Sequence, residues 1–102
     1  MPIVKGASYS ATIQTPLPPE NYSAMRVTFA QGGQVLAAKD KPDLLLQNGL
    51  VIVQLSQENT LGFMAGAPAL MQIRCYRSEY DAPGSACWPI PVQASNEEEV
   101  LP

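Results

Sequence analysis

Leu50-Val51-Ile52-Val53-Gln54-Leu55-Ser56-Gln57-Glu58-Asn59-Thr60-Leu61-Gly62-Phe63 runs two kinds of local signal together without a gap. Val51, Val53 and Leu55 fall at every second position, so they share one face of a strand, and Ile52 makes the other face partly apolar. That pattern predicts a central strand over Leu50 to Leu55. Asn48-Gly49, just before it, tolerates positive φ twice in succession, as a two-residue primed hairpin turn requires. The strand then stops at Ser56, whose hydroxyl can accept a hydrogen bond from a backbone N–H two or three residues on. One helical turn near residues 57–62 follows, with Glu58 at its positive end, and Leu61 and Phe63 close back over the core.

Upstream, Leu44 to Gln47 forms the other arm of the Asn48-Gly49 hairpin. A two-residue loop there pairs Leu46 with Val51 and Leu44 with Val53, four apolar residues on one face. Lys39-Asp40-Lys41-Pro42-Asp43 reads as a charged loop. Its two aspartates lack EF-hand spacing and flank a lysine, so solvated loop charges are the better reading than a cation site. Gly32-Gly33 sits where a second two-residue turn belongs. With those glycines as the loop, Gln31 opposes Gln34, Phe29 opposes Leu36 and Val27 opposes Ala38. The glycine pair has neither dinucleotide-binding nor P-loop spacing. Tyr9, Ala11 and Ile13 alternate with polar residues and make a first, half-buried strand. Pro16-Leu17-Pro18-Pro19 cannot continue a ladder and reads as a crossing between sheets; as a P-x-x-P ligand it lacks a flanking Arg or Lys. Asn21-Tyr22-Ser23 matches a glycosylation acceptor, read here as a chance match in a loop.

Downstream, Gly66-Ala67-Pro68 leads into a strand in which Met71, Ile73 and Cys75 face inward and Gln72, Arg74 and Tyr76 outward. Tyr80 to Gly84 is a turn by composition. Trp88, Ile90 and Val92 then form the inward face of a last strand. Pro89 and Pro91 remove N–H donors from one lateral side only, which makes this an edge strand bonded to Met71 to Tyr76 through residues 88, 90 and 92. Directly opposed residues share a face, so Cys75 points inward and Cys87 outward, and the two are expected as free thiols.

The chain has 102 residues and a net charge of −3, which fits one domain able to bury a core without metal or disulfide. The expected division is a β-sandwich over 1–95 and an acidic C-terminal tail over 96–102 carrying Glu97-Glu98-Glu99. Six Lys and Arg spread along the chain make no basic face, so no nucleic-acid partner is expected. No run approaches the roughly 18 apolar residues of a membrane span, and the N-terminus lacks the apolar core of a signal peptide. With no histidine in the chain, Ser-His-Asp triads and His-rich metal sites are excluded. Glu20, Asp40, Asp43, Glu58, Glu79 and Asp81 all fall in expected loops or turns, where solvated acids are the rule. No catalytic residue, metal ligand or cofactor-binding residue is assigned, and no cofactor is expected.

Six to seven short strands, broken by Gly-Gly, Asn-Gly and proline turns, predict an all-β, immunoglobulin-like antiparallel β-sandwich with one short helical turn. The order of features resembles small structural proteins of phages and prophages, similar to the N-terminal domain of phage baseplate upper proteins. The matching residues are Thr28-Phe29-Ala30-Gln31-Gly32, Leu55 to Phe63 with Gly66, and Met71-Gln72-Ile73-Arg74, within a resemblance spanning roughly residues 7 to 93. It implies a non-enzymatic virion or tail-assembly module whose partners are other virion or tail proteins, or further copies of itself. It also implies host-cell cytoplasm during assembly and the particle afterwards. The alternative is a carbohydrate-binding sandwich in which exposed Tyr22, Tyr76 and Tyr80 stack on sugar rings. A small enzyme built on Glu58 or Cys75 ranks last. Val35, Ile52 and Leu45, apolar on faces opposite the core, suggest a second covered surface.

Overall fold

The computed structural model describes residues 2–15, 19–76 and 84–94. Its strands are β1 (Ile3–Val4), β2 (Tyr9–Gln14), β3 (Ala24–Gln31), β4 (Gln34–Asp40), β5 (Leu45–Gln47), β6 (Leu50–Leu55), β7 (Ala69–Tyr76), β8 (Gly84–Ile90) and β9 (Val92–Gln93). The helix α1 (Gln57–Leu61) follows β6, and single 3-10 turns lie at Pro19–Asn21 and Lys41–Asp43. One sheet has the order β2-β6-β5 and a second the order β4-β3-β7-β8, while β1 pairs with β9. The seven longer strands in two antiparallel sheets are the expected immunoglobulin-like sandwich. β6 is central, and the chain changes sheet between β2 and β3, on either side of the proline-rich segment. Of that segment, residues 16–18 lie outside the described residues, as do the turn at 80–83 and the tail at 96–102.

Phe29 on β3 reaches across the sandwich. Its ring meets Tyr9 of β2 and Phe63, which follows α1, edge to face, with centroids 6.3 Å apart in each case. Each such pair adds about 0.5–1.5 kcal/mol beyond the area it buries. Val27, Val51, Val53, Leu55, Met71 and Ile73 fill the space around it.

The stretch Leu50 to Phe63 folds as its residues predict. Asn48 and Gly49 have φ of 52° and 76°, the two positive values of a primed turn. Ser56 caps α1: its Oγ accepts from the N–H of Asn59 at 3.1 Å, while Asn59 Oδ1 accepts from the N–H of Ser56 at 3.1 Å. That reciprocal pair is a capping box with Asn in place of the usual Glu or Gln.

Several expectations need correction. The Gly32-Gly33 hairpin begins with Gln31 opposite Gln34, but a β-bulge slips the register, so Phe29 opposes Ala37 and Val27 opposes Lys39. Arg26 explains the slip. Arg26 lies opposite Arg74 of β7, and an unbulged ladder would set Lys39 on its other side; the extra residue brings Asp40 there instead. Arg26 Nε then donates to Asp40 Oδ1 at 2.7 Å. Lys39 and Asp40 are therefore strand residues, and only Lys41–Asp43 form the turn.

At the second hairpin Leu46 opposes Val51 as expected, but the ladder begins at Leu45, leaving buried Leu44 outside it and Leu46 38% exposed at the sheet edge. Trp88 opposes buried Met71, yet as an edge residue it stays 37% exposed. Finally, the last strand breaks at Pro91, and the side stripped of donors still offers acceptors. Pro91 O receives the N–H of Ile3 at 2.8 Å and Gln93 O that of Lys5 at 3.0 Å, which ties β1 on in parallel.

Candidate interaction surface

Leu70 alternates with buried Ala69 and Met71, so it faces out from the four-stranded sheet. Cross-strand register sets Ala30 beside it on β3, Val35 beside Ala30 on β4, and Pro89 on its other side on β8. Val35, Ala30, Leu70 and Pro89 thus form one apolar row across all four strands. Val35 is 57% and Leu70 46% exposed. Large apolar side chains lined up in solvent mark a contact surface far more often than scattered ones do.

The row lies at one end of its face. Two strand residues further on come Ala38, Thr28, Gln72 and Cys87, and two further still Asp40, Arg26 and Arg74. The face therefore grades from apolar through neutral to charged. The Arg26–Asp40 pair closes the charged end. Hydrogen bonding to the guanidinium holds the Asp40 carboxyl below its usual range and pushes Arg26 up.

Gln31 follows Ala30 on β3 and so starts from the opposite face of the sheet. Its Nε2 donates to the carbonyls of Met64 and Ala67, each at 2.9 Å, and its Oε1 accepts the N–H of Met64 at 2.7 Å. One amide thereby fastens the loop after α1, in which Met64 is 70% exposed, to the β3–β4 turn. A shallow groove of 390 Å³ opens nearby between Gly66-Ala67-Pro68 and Pro89, Pro91 and Val92.

Residues singled out in the sequence are distributed as follows. Leu45 and Ile52 oppose each other, but on the outer face of the three-stranded sheet, whereas Val35 belongs to the row on the other sheet. They are two surfaces rather than one. Tyr22 is buried, Tyr76 half-buried, and Tyr80 outside the described residues, so the expected trio of exposed stacking rings does not form among the residues described. Glu58 is exposed in the first turn of α1, while Cys75 is buried on β7, and its thiol is pushed up by that burial. Cys75 and Cys87 face opposite ways and are both free thiols. Among the described residues no group of three or more Cys, Asp or Glu is placed to hold a metal ion.

Leu70 and Ala30 sit at the middle of the row, and nothing in their local sequence singles them out. The outward place of Leu70 follows from its alternation with Met71, but its alignment with Val35 requires the register of two ladders, and with Pro89 that of a third. Compared with protein-family models, curated proteins and solved structures, the chain gives no match.

Proposed function

We propose that this chain is a non-enzymatic structural module of a phage or prophage particle, a virion or tail-assembly component that works through protein–protein contacts. The observation that carries the reading is the exposed row Val35, Ala30, Leu70 and Pro89 on the outer face of the four-stranded sheet. The immunoglobulin-like sandwich and the resemblance at Thr28 to Gly32, Leu55 to Phe63 and Met71 to Arg74 supply the particle context. Other virion or tail proteins are the partners of this surface, and self-association is the second mode of assembly. Neither nucleic acid nor membrane enters the proposal. The chain acts in the host cytoplasm during assembly and in the particle afterwards.

The test is mass spectrometry of purified particles after prophage induction. Peptides of this chain at a fixed copy number, lost when Leu70→Arg replaces the wild-type protein, are the expected result. An abundant protein in the lysate with none in the particles would overturn the virion reading.

A further inference from the structure

Every exposed edge of the two sheets except one carries a feature that discourages a further strand. β4 has its bulge and Lys39, β5 is only three residues long, and β8 carries Pro89 before β1 covers β9. β2 has none of these. Tyr9-Ser10-Ala11-Thr12-Ile13-Gln14 contains no charge, proline or glycine, and it pairs through its full length with β6 alone among the described strands.

The direction of its free groups follows from the Asn48-Gly49 turn. In a two-residue hairpin the flanking residues, Gln47 and Leu50, are a hydrogen-bonded pair, and the pattern alternates from there. Leu50, Ile52 and Gln54 therefore bond toward β5, and Val51, Val53 and Leu55 toward β2. Their partners Ile13, Ala11 and Tyr9 are used on that side. The N–H and C=O groups of Ser10, Thr12 and Gln14 point the other way, along the open edge.

We propose that this edge pairs with the β2 edge of a second copy of the chain, antiparallel and centred on Thr12. In that register Ser10 meets Gln14 of the partner copy and Thr12 meets Thr12, so every outward N–H and C=O finds a mate. Side chains match as well. The exposed polar residues Ser10, Thr12 and Gln14 face one another on the outer side, and Ala11 meets Ile13 on the core side. A one-residue slip would put core residues against solvent-facing ones. The strand is thus self-complementary, which favours a second copy over an unrelated strand. Two three-stranded sheets become one continuous sheet about a two-fold axis. The inference is independent of the phage reading and uses the opposite sheet.

Sedimentation equilibrium of the full chain is expected to report a concentration-dependent dimer. Thr12→Lys sets like charges face to face at the axis on an exposed position and is expected to give a monomer with unchanged circular dichroism, melting as the wild-type chain does at concentrations low enough for that chain to be monomeric. In a Cys87→Ser background, Thr12→Cys is expected to form an interchain disulfide under mild oxidation, and Ser10→Cys, which does not meet itself, is not. A chain that stays monomeric at the highest concentration reached would overturn the proposal. So would a dimer that survives Thr12→Lys, or equal cross-linking from both cysteine variants.

Discussion

Thr60 is fully buried although its side chain is polar, because its hydroxyl is completely used. Oγ1 accepts the N–H of Gly6 at 3.0 Å and shares its proton between the carbonyls of Ala7 at 2.9 Å and Gln57 at 3.0 Å. Thr60→Val keeps the shape but leaves the Gly6 N–H without its acceptor. It is expected to cost about 1–3 kcal/mol in denaturant unfolding, with faster amide exchange at Gly6. The two cysteines give a second residue-scale test. Exposed Cys87 is expected to react with a thiol reagent at once, and buried Cys75 only on unfolding. Because burial raises the Cys75 thiol, the folded state holds its proton longer than the unfolded chain does. Its contribution to stability is complete below the ordinary thiol value and is lost as the pH rises through the folded one. Cys75→Ala should therefore flatten the alkaline end of the stability profile.

At the level of elements, what was legible in the sequence is what neighbouring residues decide among themselves. The primed turn at Asn48-Gly49, the cap at Ser56 and the inward faces of β6 and β7 each follow from adjacent side chains and a two-residue period. Ser56→Ala removes one half of the capping box and is expected to cost about 1 kcal/mol. The bulge in β4 was not legible, because its cause lies across two ladders, in the need to keep Lys39 away from Arg26 and Arg74. Deleting Leu36, the extra residue, should give a regular ladder that still sets Asp40 opposite Arg26, so the ion pair is kept, while the loss of a side chain packed against the core lowers the melting temperature. Removing the pair alone, with Asp40→Asn, should matter little, since both side chains are more than half exposed. The β1–β9 pairing was illegible for a different reason. A dipeptide carries no period, and the prolines before its partner strand mark missing donors but leave the accepting carbonyls of Pro91 and Gln93 without a local signal.

For the whole molecule, the candidate surface emerges only when β4, β3, β7 and β8 are laid side by side, since each contributes a single residue to the row. No window of sequence contains it. Charge at Leu70 should leave the fold intact, because the position is exposed, while weakening any partner held there. Gln31 bears on how such a partner would be met. Its amide joins segments 33 and 36 residues away in sequence, so the loop bordering the row is held in place before anything docks. Recognition at this end of the sandwich would then spend little of its free energy on ordering the loop, and a Gln31→Ala chain should bind the same partner more weakly with a larger entropic loss on titration calorimetry.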